Sequence, residues 1–216
     1  LIPFLCVAQK KKKEKQDTLK VTDFVPTGLR IGTDVIALIK TSTDDTYSGW
    51  EVNADLDLYR YFLTVDVGSW SRNFQSTDGQ YYSNYSNDGN YFRVGADFNF
   101  LPKDPNGNAL IFGARYARSV FSEDYLVHSN DAVWGPIDET YVNSNVPARW
   151  FELTGGLRVK IWKVLWLGYT ARYKFSLKTG DTPTMLPHDI PGYGRTDKKS
   201  AWGFNYQVFI RFPLRK

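Results

Sequence analysis

The segment WEVNADLDLYRYF, Trp50 to Phe62, alternates apolar and polar side chains with a period of two. Trp50, Val52, Ala54, Leu56 and Leu58 share one parity, and Glu51, Asn53, Asp55 and Asp57 share the other. Successive side chains of a strand point to opposite faces of a sheet, so the pattern is that of a β-strand. It recurs in eight segments: Leu29–Lys40, Trp50–Leu58, Phe62–Trp70, Phe92–Phe100, Leu110–Arg118, Trp150–Ile161, Leu165–Phe175 and Trp202–Phe212. They run about 9 to 12 residues, the length of a tilted strand crossing a bilayer, where globular strands are nearer 5 or 6. No segment shows a helical period.

The connections alternate in length. Thr41–Gly49, Ser71–Tyr91, Ser119–Arg149 and Lys178–Ala201 are long; Tyr59–Tyr61, Pro102–Asn108 and Trp162–Val164 are short. In an up-and-down arrangement all the long connections fall at one end of a barrel, and both termini join the short turns. That asymmetry belongs to outer-membrane barrels. The expected fold is all-β, an eight-stranded antiparallel up-and-down transmembrane barrel.

Parity then assigns the two faces. One face reads Leu29, Ile31, Val35, Ile39, Val52, Leu56, Leu63, Val65, Val67, Val94, Ala96, Phe98, Phe112, Tyr116, Leu153, Leu157, Val159, Leu167, Tyr169, Phe204, Tyr206, Val208 and Ile210, and meets lipid. The other carries Arg30, Arg93, Arg115, Arg158, Lys160, Arg172, Lys174 and Arg211 against Asp34, Glu51, Asp55, Asp57, Asp66, Asp97 and Glu152. Eight strands enclose a space just wide enough for side chains to fill. Buried charges must pair, so a salt-bridge network is expected to plug the lumen. Gly32, Gly68, Gly95, Gly113, Gly156, Gly168 and Gly203 share that inward parity and leave room for the large side chains. The alternative, a soluble barrel with these charges outside, fits the asymmetry of the connections less well.

Composition adds constraints. The chain has 216 residues, 42% hydrophobic and 23% charged, with a mean hydropathy of −0.41. No apolar run reaches the roughly 18 residues a membrane helix needs, which leaves a barrel untouched because alternating strands average out. Aromatics make up 16% of the chain, enough for girdles at a bilayer interface. The +4 net charge gathers at Lys10–Lys13 and Lys15, a solvated tail or an arm touching anionic headgroups or an acidic partner. Nucleic-acid binding has no other support.

Residues 1–8, LIPFLCVA, have the form of a signal-peptide tail with cleavage before Gln9; an apolar N-terminal strand is the other reading. Leu5 does not suit lipidation of Cys6, and cleavage would leave a chain without cysteine. The expected division is therefore a signal tail over 1–8, a basic periplasmic arm over 9–27 and the barrel over 28–216.

FVPTGLRIGTDV (Phe24–Val35), LIFGARYARS (Leu110–Ser119) and the closing FNYQVFIRFPL together resemble an uncharacterised family of small outer-membrane barrels from Bacteroidota. The resemblance covers most of residues 24–214 and implies an outer-membrane location, with lipid and lipopolysaccharide as surroundings. Asp17-Thr18-Leu19 is similar to the O-glycosylation acceptor of those bacteria, which makes Thr18 a candidate site.

Candidate chemistry is sparse. His128 and His188, the only histidines, sit in expected outer loops; a His/Asp/Ser group assembled between loops competes with two solvated side chains. Asp44-Asp45 and Asn87–Asn90 offer oxygen ligands for Ca²⁺ without a recognised spacing, and polar turn composition explains both. No phosphate loop, dinucleotide fingerprint or zinc spacing occurs, so no metal and no cofactor is expected. The stretch Gln75–Phe92, with Tyr81, Tyr82, Tyr85 and Tyr91, has the Tyr/Asn/Ser/Gly mixture of contact surfaces and is the candidate partner-binding loop. These readings favour a non-catalytic accessory subunit of a larger outer-membrane complex serving protein assembly or secretion. A lone lipid- or peptide-modifying enzyme using the loop histidines and a surface adhesin are the alternatives.

Overall fold

The computed structural model describes residues 24–79, 81–131, 135–180 and 185–214. The signal tail, the arm before Phe24, Thr18 and the last two residues lie outside the described residues.

The chain forms β1 (Gly28–Asp34), α1 (Val35–Thr43), β2 (Tyr47–Leu58), β3 (Tyr61–Asp78), β4 (Tyr81–Asn99), β5 (Ala109–Asp131), β6 (Gly135–Trp162), β7 (Leu165–Thr179), β8 (Asp189–Ile190), β9 (Gly194–Arg195) and β10 (Ala201–Pro213). Eight strands close a barrel in the order β1-β10-β7-β6-β5-β4-β3-β2, and β8 with β9 makes a separate two-stranded sheet. Every pairing in the ring is antiparallel. Chain neighbours are ring neighbours, so the topology is up-and-down. Leu214 N–H donates to Thr27 O and Thr27 N–H to Asp57 O, which brings the two ends of the barrel chain together beside the short turns.

The parity assignment sets the faces. Ile31, Trp50, Val52, Leu63, Val65, Val67, Val94, Phe112, Leu153, Leu157, Phe204 and Ile210 are exposed on the outside, whereas Arg30, Glu51, Asp55, Asp66, Arg93, Asp97, Arg115, Glu152, Arg158 and Arg172 are buried inside. A barrel with its apolar side chains outward and its charges inward is built to span a bilayer. Among the described residues no helix is long and apolar enough to cross a membrane. Lys160, expected inside, is exposed, because it sits beside the Trp162–Val164 turn where the lumen ends.

Two features depart from the alternation. The expected strand Leu29–Lys40 stops at Asp34 and continues as α1. The Asp34 carboxylate caps the helix by accepting Ile36 N–H at 3.2 Å. It also accepts Tyr206 N–H at 3.1 Å, a β10 amide to which a longer β1 would supply a carbonyl. VIALI reads equally as one helix turn and a half; Ala37 is buried while Leu38 and Ile39 face out. On the far side of the gap, Thr41 Oγ1 lies 2.8 Å from both N and O of Gly49 on β2, meeting polar groups of an edge that β1 has left.

The second departure concerns the long connections. Most of Ser71–Tyr91 and Ser119–Arg149 is strand: β3 with β4 and β5 with β6 run on as hairpins to Asp78↔Tyr81 and Asp131↔Gly135. Backbone pairing needs no apolar alternation, so polar stretches continue the ladders past the expected strand ends.

The inward glycines sit at close approaches. A Cβ at Gly32 would lie 2.6 Å from the Phe209 ring and closer still to Val208 O, whereas one at Gly155 meets nothing nearer than Phe112 at 3.9 Å. Gly32→Val should therefore lose the folded, heat-modifiable form on unboiled gels and Gly155→Ala should keep it, since overpacking costs about 1–3 kcal/mol or more.

Candidate functional site: the lumen, its plug and the sheet beyond the ring

Strand alternation projects the inward side chains into a lumen where they meet across the barrel. Arg93 Nη1 lies 2.7 Å from Glu51 Oε2, and its Nε lies 3.1 Å from Glu152 Oε1. Arg172 joins Glu152 and Asp66, each at 3.1 Å. Arg115 pairs with Asp66 and, at 3.0 Å, with Asp97. Asn53 bridges Glu51 and Asp66 at 2.8 and 2.7 Å. Tyr91 Oη and Trp150 Nε1 donate to Glu51 and Glu152 at 2.7 and 2.8 Å.

Nearer the short turns, Arg158 holds Asp55 at 3.0 Å, and Arg30 and Arg211 share Asp57 at 3.1 and 3.3 Å. The Arg30 guanidinium is sandwiched between the Phe62 and Trp166 rings, 4.4 and 4.7 Å from their centroids. Asp34 takes Asn205 Nδ2 at 2.7 Å. Thirteen of the fifteen charged residues expected in the lumen are thus brought together, in a central group around Glu51, Asp66 and Glu152, a group nearer the short turns and Asp34 at the helix. Chemically, carboxylates held this way are fixed acceptors that close the lumen.

A plug completes the closure, and the sequence pattern did not reveal it. The segment from Met185 folds back into the mouth at the long-hairpin end. Arg72 pairs with Asp189 at 2.7 Å, and Asn87 Nδ2 donates to Asp189 O at 2.6 Å. Lys174 Nζ donates to Gly192 O and Tyr193 O at 2.9 and 2.8 Å, and Arg93 Nη2 to Gly192 O at 2.9 Å. Burial pushes the Asp189 carboxyl above its ordinary range while Arg72 draws it back. Ile190 and Tyr193 join an apolar cluster with Tyr91, Phe121, Val146 and Trp150. Only the turn in DIPGYG hints at this in the sequence; Gly192 has φ +82 and sits where a Cβ would lie 2.6 Å from Tyr91 Cγ.

The candidate partner loop is corrected by the structure. Tyr81, Tyr82, Tyr85 and Tyr91 lie on β4, and inward parity takes two of them off the surface. Tyr85 is buried with its hydroxyl on Glu123 at 2.9 Å, and Tyr91 is buried on Glu51. Tyr81 stays exposed, its Oη 3.1 Å from that of Tyr125, and Tyr82 is half-buried.

The surface that does stand free is a four-stranded sheet. The β2–β3 ladder ends at Tyr47↔Arg72 and the β6–β7 ladder at Ala148↔Thr179, while β3, β4, β5 and β6 continue side by side. The sheet exposes Phe74, Tyr81, Leu126 and Ile137.

The histidines have separate surroundings. His128 pairs with Asp138 on the β5–β6 hairpin, while His188 stacks edge-on against Tyr85, ring centroids 5.2 Å apart. Asp44 caps its own turn through Thr46, Asn87 is spent on Asp189, and among the described residues no cluster of three metal-ligating side chains occurs.

A family model described as a domain of unknown function, DUF6048, matches residues 1–216, and the chain belongs to that family. No curated protein matches it. Among solved structures it is similar to CarO of Acinetobacter baumannii, at 12% identity and a TM-score of 0.40 over 88% of this chain and 99% of that one. It is also similar to CarO2 of the same organism, at 12% identity and 0.41 over 88% and 98%.

Arg115→Met leaves Asp66 and Asp97 short of a partner in a closed space. It should lower stability by about 3–5 kcal/mol, read as an earlier urea midpoint in detergent. Gly192→Val should release the plug with the ring intact, so that trypsin cuts after Arg195 or Lys198 in a barrel that still runs as folded.

Proposed function

We propose that this DUF6048 chain is an integral outer-membrane protein without catalytic activity or a conducting pore, acting as an accessory subunit of a larger outer-membrane complex in protein assembly or secretion. One observation carries the reading. The lumen is filled by ion pairs and capped by the plug, while four strands run past the ring and offer a stiff sheet beyond the bilayer.

Sheet edges and exposed apolar side chains are what a partner chain can pair with or cover. Beyond Asn73, β3 has no ring strand on its outer edge, and Phe74 is exposed there. The apolar outer wall, the long hairpins at one end and the resemblance of Phe24–Val35 to small Bacteroidota barrels support an outer-membrane setting. There the hairpins face outside, the N-terminal arm lies in the periplasm, and phospholipid and lipopolysaccharide surround the wall. His128 beside Asp138 keeps an enzyme acting on lipid or peptide as the second reading.

Two measurements decide between them. Planar bilayers holding the purified barrel should show no steady conductance. A C-terminally tagged chain extracted in mild detergent should elute in a stoichiometric assembly, and Gln75→Pro on the β3 edge, where the N–H points away from β4 as that of Asn73 does, should release the partner while the barrel stays folded. A lone barrel at its own mass, with a phenotype lost on replacing His128 and His188 by alanine, would favour the enzyme.

A further inference from the structure

Outward side chains change character along one line of the wall. Moving up the wall, β5 passes from Phe112 and Tyr116 to Arg118, β6 from Leu153 and Phe151 to Arg149, and β7 from Tyr173 and Phe175, past the register shift opposite Phe151, to Lys178. The register sets Arg118 directly beside Arg149 and Arg149 directly beside Lys178. All three are exposed, and none has an acidic partner among the described residues. Below them runs an aromatic row, with Tyr116 edge-on to Phe151 at 5.6 Å and Phe151 near Phe175 at 6.3 Å. Aromatic rings above apolar wall mark the headgroup level of a barrel.

Like charges side by side on neighbouring strands repel and destabilise a sheet. Strands lie about 4.8 Å apart, so three cations fall within roughly 10 Å of one another. A cavity of about 560 Å³ opens among them, lined by Tyr116, Arg118, Pro147, Arg149, Lys178 and Gly180, with no carboxylate in the lining among the described residues.

We propose that this row is a binding site for a phosphorylated membrane lipid, with the phosphate between Arg118, Arg149 and Lys178 and the acyl chains along the aromatic row and the apolar wall beneath. Charge selects the class of phosphate. A phosphate monoester carries about −1.5 to −2 at neutral pH and answers three cations better than a diester. Arginine supplies a planar fork for its oxygens, and lysine a point charge. The site rests on the reading that the wall lies in a bilayer; it does not depend on the accessory role.

The test uses the full barrel in nanodiscs holding equal dioleoyl phosphatidic acid and dioleoyl phosphatidylcholine, released for native mass spectrometry. Heat-modified migration first reports insertion and folding; failure to insert would overturn the membrane reading and this site with it. In the inserted protein, most barrels should keep one phosphatidic acid. The triple variant Arg118→Gln, Arg149→Gln, Lys178→Gln should reduce that retention at least tenfold while staying folded. Arg195→Gln with Lys198→Gln, equally exposed cations elsewhere, should leave it unchanged. Equal retention of the two lipids, or full retention in the triple variant, overturns the proposal. Displacement of the lipid by millimolar inorganic phosphate would identify the phosphate alone as ligand and overturn the lipid class.

Discussion

A closed ring of eight strands fills most of its interior with side chains, so the guanidinia inside it must find their counter-charges on the same ring. An ion left unpaired in such a space costs several kcal/mol, and eight strands admit side chains but little else. The ring therefore selects its own contents. Arg93, Arg115 and Arg172 span the lumen to Glu51, Asp66, Asp97 and Glu152. Asn53 and Thr154 take the Asp66 and Asp97 oxygens that the guanidinia leave, while Tyr91 and Trp150 donate to the Glu51 and Glu152 oxygens that Arg93 also holds. Glycines follow from the same constraint: at Gly95 and Gly113 a Cβ would run into the side chains of Arg115 and Asp97.

The wall departs from continuous strand at one place, and one carboxylate manages it. Asp34 faces inward with the rest of the acidic set, yet its oxygens serve Asn205, the amide of Tyr206 and the amide that begins α1. It joins the lumen network, terminates the ladder and starts the helix. Thr41 answers on the other side at Gly49, so the backbone groups freed by the shortened β1 are met by side chains. Backbone polar groups facing hydrocarbon must be satisfied within the protein, and a short capped helix with Leu38 and Ile39 outward does so without an eighth full-length strand.

Parity was the legible part of the sequence. A strict two-residue period assigns the lipid face and the charge face of each strand, because a one-residue slip would turn every arginine outward. The length of the strands was not legible. Ser83, Tyr85 and Asn87 alternate inward with polar Asn84, Ser86 and Asp88, so the pairing continues while the apolar signal stops. Nor was α1 legible: VIALI satisfies a strand and a helix equally, and Asp34 decides through contacts with Asn205 and Tyr206, far away in sequence. The plug is held mainly by backbone carbonyls at Gly192 and Tyr193 and by long-range partners such as Arg72, none of which leaves a local pattern. Tyr85 and Tyr91 misled for a related reason, since composition alone is blind to which side of a strand a tyrosine occupies.

The strands past the ring keep the inward rule even where no barrel encloses them. Tyr85, Glu123 and Asn143 share the face that continues the lumen, and Glu123 gathers Tyr85 Oη at 2.9 Å, Asn143 Nδ2 at 2.9 Å and His188 N at 3.2 Å. Asn143 Nδ2 also reaches Met185 O at 2.9 Å. The segment entering the plug thus lies in a trough whose floor is the extended sheet, and the ion pairs below set where that segment can go. A closed lumen and an ordered outer sheet are then two consequences of one arrangement. The plug is anchored by Arg93 and Lys174 within the ring and by Arg72, Asn87 and Glu123 at and above its rim. Rigidity inside the wall reaches the outer surface through the plug as well as along the strands.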